Sequence, residues 1–416
     1  MKINKLCLSI LIGGLLFLIG STIYNKSPII FDELNFVPNV ELMDQLGFTK
    51  EFLVQMKNQA PGPLYQIIHV VLMPITHLKP PAIRIVNLIF LLLIILITSK
   101  VIKNTFGDLK YHHLFLALNI IAVPITWVIS GLALTEIPAM FFVALSLLML
   151  SYIFKNSYTN QKILLFSAVA GIFLGLAALG RTPYLGLILP IVLVVLHRDY
   201  RSIKKAASLI LPYFLIPLLF MVPIFIIWGG LVSPNQPIVS GGIRIWHGVL
   251  SIGYGGIIFF LLAPAWFIFN RKILIALTVT FILAFVYSTW FSTDSYHPLI
   301  VTIQKFAPAF IVNIYKLIIT PILITFAIYF AICALIHLYE KRDNIIYVYS
   351  ILSAILIMFS NITNSYQFSS RYVAQAIPFI IIAIVPFENV NWKKCILAII
   401  AMIIGFFSLN TYAMIF

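Results

Sequence analysis

Charge is what this sequence has least of. Its 416 residues include 27 Lys and Arg and 12 Asp and Glu, so 9% are charged, against ~25% in an ordinary soluble domain. That scarcity, with an apolar content of 62%, excludes a soluble globular enzyme. Cysteine is scarce too. Cys7, Cys333 and Cys395 lie in or beside apolar runs with no CxxC spacing, so neither a disulfide framework nor a metal knuckle is indicated. There is also no low-complexity tract, short-period repeat or soluble insertion, so residues 1–416 read as a single transmembrane domain.

Long apolar runs are abundant. A bilayer-spanning helix takes ~20 mostly apolar residues, and thirteen of them would use roughly 260 positions, about what the composition supplies. The sequence therefore predicts an all-α polytopic membrane protein with about thirteen transmembrane helices. The formal charge of +15 fits cytoplasmic loops facing anionic lipid better than nucleic-acid binding.

The first run, Leu6 to Ile23, follows Lys2 and Lys5 and lacks a clear small-x-small cleavage site, so it reads as an uncleaved helix with its N-terminus inside. Residues 24–82 then form the first outer loop. Within it, apolar positions from Leu42 to Leu46 and from Phe52 to Met56 recur near helical spacing. With Gly47 as a stop and Thr49 as an N-cap, they predict two short amphipathic helices on the outer leaflet. Leu64 to Leu78 is short and carries Gln66, His69, Pro74 and His77. If it crossed, the next helix would carry Lys100, Lys103 and Lys110 outside, so it is placed on the outer surface. The remaining spans are expected at 83–102, 114–130, 137–154, 163–180, 184–197, 206–228, 249–269, 273–291, 317–338, 345–360, 372–386 and 395–415. This arrangement puts 17 of the 27 basic residues inside. Ten lie outside with Asp32, Glu33, Glu136 and Asp294.

Asp32 and Glu33 emerge just after the first helix. A carboxylate beside a like charge at a membrane surface is suited to general-base work. On spacing alone, the same pair is what a solvated loop would carry. Arg181 and Arg371 stand at outer ends of spans, at headgroup depth, where an arginine either holds a phosphate or simply snorkels.

The pair Asp32-Glu33, the proline-rich lead-in Ala60-Pro61-Gly62-Pro63-Leu64-Tyr65, and Arg84-Ile85-Val86-Asn87-Leu88 at the next span together resemble the GT-C class of membrane glycosyltransferases. Leu134-Thr135-Glu136-Ile137-Pro138, Trp228-Gly229-Gly230-Leu231-Val232-Ser233-Pro234 and Ser370-Arg371-Tyr372 resemble later segments of that class in the same order. Phe31 to Pro38, followed by residues 60–65, is similar to the dolichyl-phosphate-glucose-dependent glucosyltransferases that complete the lipid-linked N-glycan precursor. There the first loop carries an Asp-Glu pair and then Pro-Pro-Gly-Leu-Tyr; here the second proline is displaced.

The resemblance implies transfer of one sugar from a polyprenyl-phosphate donor to a hydroxyl on a lipid-linked, glycan or protein acceptor, with inversion. Such a reaction needs a base for the acceptor proton and cations for the departing phosphate. Asp32 is then the expected base, Glu33 its alternate, and Glu136 an orienting acid. Arg371, Arg181 and Arg84 are the expected phosphate partners, and Arg244, His247, Tyr65 and Tyr372 possible substrate contacts. No metal or other cofactor is expected, because no metal cage is visible and a monophosphate donor does not require one. Partners are the lipid-linked sugar, the acceptor and membrane lipid, not nucleic acid.

The Ile-, Lys- and Asn-rich composition suggests a bacterial cytoplasmic membrane with the site outside; the glucosyltransferase likeness leaves an endoplasmic reticulum setting open. A multi-pass transporter and a lipid-linked-sugar flippase are the alternatives. A carrier would need acids at mid-membrane, and no predicted span holds an Asp or Glu.

Overall fold

The computed structural model describes residues 2–59, 62–156, 158–195, 202–236, 242–290, 297–363 and 369–415. Ala60, Pro61 and Asp294 lie outside the described residues. Within them the chain is helical, apart from one isolated bridge between Lys57 and Asn235.

Helix α1 (Lys2–Tyr24) is followed by three short helices, α2 (Glu33–Leu46), α3 (Lys50–Gln55) and α4 (Leu64–Thr76), and then by the long α5 (Ala82–Phe106). Next come the short α6 (His113–Ala117) and α7 (Pro124–Gly131), the long α8 (Glu136–Lys155) and α9 (Asn160–Gly180), and the short α10 (Ile188–Val195). Three long helices follow, α11 (Ile203–Trp228), α12 (Ile245–Leu262) and α13 (Arg271–Trp290). After the short α14 (Ile300–Phe306), α15 (Ala309–Glu340) and α16 (Ile345–Phe359) are long, α17 (Arg371–Ala374) and α18 (Ile377–Ile384) are short, and α19 (Trp392–Ile415) closes the chain.

Ten of these helices are long and apolar enough to cross a bilayer, eleven if one bent pair counts as a span. This is an integral membrane protein of all-α architecture. Among the described residues the expected thirteen is not reached. The run at 114–130 is broken at Val123 by a bend of 82° just ahead of Pro124. Among the described residues, which exclude 196 and 197, the runs at 184–197 and 372–386 contain the shorter apolar helices Thr182–Leu193 and Ile377–Phe387. Every residue of α18 is buried in protein, and a helix that is apolar all round and fully covered belongs to a core as readily as to lipid.

Helix α9 packs against both α8 and α11, α15 against α12 and α13, and α19 against α7. Close approach depends on small residues. A Cβ on Gly253 of α12 would overlap the Leu323 carbonyl oxygen of α15, so glycine lets the two backbones touch.

The segment between α1 and α5 leaves and returns at one end of the bundle, because Arg84 at the start of α5 pairs with Glu33 just after α1. Helix α4, with 13 residues, is one of the shorter apolar helices. It packs under α2 and presents Val71 and Ile75 outward, 73% and 76% exposed, as an interfacial helix would. Gly47, at φ +65°, ends α2, and Thr49 starts α3 by accepting the Phe52 N–H at 3.2 Å. A polar seam closes the segment. Gln59 and Gln66 exchange amide hydrogen bonds of 2.6 and 3.0 Å, and Asn39 donates to the Lys57 carbonyl at 2.9 Å. The loop after α11 is fastened on top, with Trp228 Nε1 donating to Leu53 O at 2.9 Å and Ser233 Oγ to Met56 O at 3.0 Å.

Candidate active site

Four charged side chains from four distant parts of the chain meet at that same end. Arg371, opening α17, donates Nη1 to Asp32 Oδ2 at 2.5 Å. Its Nε and Nη2 both reach Glu136 Oε1, at 3.0 and 2.8 Å. Arg181, just past α9, forms an ion pair with the same Glu136 oxygen. The order of contact is Asp32, Arg371, Glu136, Arg181, and the four formal charges cancel.

Burial separates their roles. The Glu136 side chain is 1% exposed and that of Asp32 is 32%, so Asp32 alone of the two acids offers its carboxylate to an incoming molecule. Burial acts to lower the Arg371 pKa, but Glu136 and Asp32 outweigh it and hold the guanidinium firmly protonated. An arginine carries five N–H hydrogens; Arg371 commits three of them to these acids, leaving two for another acceptor. Arg181 Nε is buried and finds no acceptor among the described residues, a costly arrangement unless a ligand completes it.

An aromatic ring backs each guanidinium. Arg371 lies 5.0 Å from the Phe31 ring centre and Arg181 5.7 Å from that of Tyr372, distances at which cation–π attraction operates. Tyr412, near the end of α19, packs on Phe31 at 4.5 Å. With one face of each arginine occupied, the N–H edges remain for polar contact, and edges are what bind a phosphate.

Local geometry explains how these groups come together. Asp32 stands at the N-cap of α2, but its side chain makes no capping bond; the Asn35 and Phe36 N–H groups bond its backbone carbonyl instead, and the carboxylate goes to Arg371. Glu136 opens α8, at the end where a helix dipole favours an anion. Gly62 sits so close to α9 that a Cβ would overlap the Leu179 carbonyl oxygen, two residues before Arg181. The lead-in to α4 is thus seated against the end of the helix that carries Arg181.

The other sequence-expected residues are placed differently. Glu33 and Arg84 form a fork, Nε to Oε1 at 2.9 Å and Nη2 to Oε2 at 2.7 Å, both fully buried. Glu33 also accepts the Ile30 and Ala133 N–H groups at 2.9 and 2.8 Å. Arg84 also donates to Ser27 Oγ and Pro28 O. This pair is saturated, and no substrate atom can reach it as it stands. Tyr65 is fully buried between Phe36 and His69, at ring distances of 5.5 and 4.1 Å, so it offers no open platform for a sugar. Arg244 is exposed just before α12 and His247 is buried in its first turn; neither is a member of the four-residue chain. Tyr372 is half-buried beside Arg181. Among the described residues no cluster of three or more His, Cys, Asp or Glu could hold a metal.

Sequence reasoning missed Phe31 and Tyr412. Phe31 adjoins Asp32 and could have been suspected on that ground; Tyr412 sits in an ordinary apolar helix with no local signal.

No protein-family model matches the chain, and no curated protein matches it in sequence. The crystal structure of ArnT from Cupriavidus metallidurans bound to undecaprenyl phosphate is similar in fold, with a TM-score of 0.51 and 14% identity over 90% of this chain. The fold is of the GT-C type. The chain spans 59% of the length of that ArnT chain, and at this identity the likeness concerns the fold.

Proposed function

We propose that this protein is a GT-C membrane glycosyltransferase that moves one sugar from a polyprenyl-phosphate donor to a hydroxyl acceptor by inverting displacement, with Asp32 as general base. One observation carries the reading: a partly exposed carboxylate, Asp32, adjoins the buried Arg371, which Glu136 links to a second buried arginine, Arg181, and both arginines retain unused N–H donors. The undecaprenyl phosphate bound by ArnT supplies the donor class.

In this mechanism the donor's phosphate lies against the open edges of Arg371 and Arg181. Asp32 takes the proton of the acceptor hydroxyl as its oxygen bonds to the anomeric carbon. The bond from that carbon to the phosphate oxygen breaks, and the electron pair leaves with the phosphate. The two guanidinium groups meet the developing charge, where preorganised donors in a dry site act most strongly. Glu136 holds both arginines in register and touches no reacting atom. A phosphodiester donor brings one negative charge and the departing polyprenyl phosphate carries a second, which the two guanidinium groups meet; no metal is part of this proposal.

We further place the site on the outer face of a bacterial cytoplasmic membrane, with residues 24–82 as the first outer loop of a single transmembrane domain. The excess of basic residues on the opposite side in the sequence-based topology supports this orientation. A carrier is less well supported, because the acids among the described residues lie in loops, in the short helices α2 and α3 or at span ends rather than along a mid-membrane path.

The test is to incubate purified protein with a panel of polyprenyl-phosphate hexoses and pentoses, glucose included, together with lipid-linked and glycan acceptors. One donor should lose its sugar to the native protein and keep it with Asp32→Asn. Transfer at the native rate by Asp32→Asn removes the proposed base.

A further inference from the structure

We infer that Phe31 is a positioning residue that fixes Asp32 against Arg371. The inference rests on the catalytic reading above and gives a role to a residue that opens the stretch Phe31 to Pro38 but carries no charge.

Phe31 adopts φ +53°, a left-handed conformation that side chains with a Cβ avoid. It follows Ile30 in a turn closed by the Glu33 N–H on the Ile30 carbonyl at 3.1 Å, at a position where positive φ ordinarily selects glycine. Strain of this kind persists only where the surroundings over-determine it. Here they do so from both sides. Glu33 is riveted to Arg84 and to the Ile30 N–H, which holds the far end of the turn. The ring of Phe31 is held between the Arg371 guanidinium at 5.0 Å and the Tyr412 ring at 4.5 Å.

The consequence for Asp32 is direct. An aspartate at an N-cap ordinarily turns its carboxylate onto the first helical N–H groups, whereas Asp32 sends its carboxylate to Arg371. The same guanidinium therefore contacts the ring of residue 31 and the carboxylate of residue 32. Moving the ring shifts the turn, and the turn aims the acid. Because the guanidinium and Tyr412 both pack on the ring, Phe31 is not a stacking platform for a sugar; its role is exerted through its two neighbours.

The experiment compares Phe31→Ala, Phe31→Gly and Phe31→Tyr with the native protein, alongside Asp32→Asn, using the polyprenyl-phosphate sugar that the donor panel identifies. Binding of undecaprenyl phosphate and the melting temperature are measured on the same preparations. Phe31→Ala should lower kcat ~100-fold, the scale of a misplacement of about 1 Å. It should weaken undecaprenyl phosphate binding only ~2- to 5-fold, the scale of one lost cation–π contact. Phe31→Gly relieves the backbone and removes the ring, and should lose kcat as Phe31→Ala does, while Phe31→Tyr should stay near the native rate. Folded Phe31→Ala and Phe31→Gly proteins that keep native kcat, or that lose activity only in step with phosphate binding, overturn the inference. Native-rate transfer by Asp32→Asn, or a panel in which no donor loses its sugar, overturns the catalytic reading and this inference with it. An inactive Asp32→Asn beside a fully active Phe31→Ala overturns the inference alone.

Discussion

Asp32 and Arg371 stand 339 positions apart in the chain, yet one oxygen of the first lies 2.5 Å from one nitrogen of the second. The contact ties the loop after the first helix to the segment before the last two, and it leaves the acid one-third exposed.

Asp32→Asn should therefore separate chemistry from stability. Loss of a general base costs ~10²- to 10⁴-fold in rate, whereas a partly exposed ion pair contributes only ~0–1 kcal/mol to folding. Sugar transfer should collapse in a protein whose melting temperature in detergent is nearly native. A large fall in melting temperature would show that Asp32 is structural.

Glu33 and Arg84 should behave in the opposite way. Both are fully buried and saturated, so removing one partner with Glu33→Gln or Arg84→Met leaves a buried charge and should cost ~3–5 kcal/mol. The double change Glu33→Met with Arg84→Met should recover much of that loss. Thermal melts of the three variants test this, and additive losses in the double variant would refute it.

Arg181 offers a cleaner view of donor binding than Arg371, which also supports Asp32. Removing its charged hydrogen bonds with Arg181→Gln should weaken undecaprenyl phosphate ~10- to 100-fold, corresponding to ~1.5–3 kcal/mol. Titration of the protein in nanodiscs reads this directly, and native affinity in the variant would remove Arg181 from the site.

His69 makes stability depend on pH. Both its ring nitrogens are buried without partners among the described residues, and burial lowers its pKa from 6.5 to about 3. Between those values the unfolded chain binds a proton that the folded chain refuses. Its contribution is thus fully present above pH 6.5 and is lost as pH falls toward 3. His69→Phe, which keeps a ring against Tyr65, should flatten the melting temperature between pH 7 and 4. An unchanged slope would locate the acid sensitivity elsewhere.

Much of this arrangement was legible because it is local. Gly47 and Thr49 punctuate the first loop by their own backbone and side-chain chemistry, and the ends of spans carrying Glu136, Arg181 and Arg371 announce themselves as charges beside long apolar runs. The fork between Glu33 and Arg84 was not legible, since nothing in a separation of 51 residues says which two charges will meet. Nor could apolarity distinguish α18, which is enclosed by protein, from a helix enclosed by lipid: both demand the same residues. The strained turn at Phe31 was hidden because left-handed backbone is normally announced by glycine, and here it is not.

The fork between Glu33 and Arg84 also limits how the neighbouring acid can move. With residue 33 locked and its backbone shared with residue 32, thermal wandering of the proposed base is confined to rotation about its own side-chain bonds. Most of the entropy of assembling acid and cation is then surrendered when the chain folds, before any lipid arrives, so that catalysis would draw on an order established once, at birth, instead of being rebuilt at every turnover.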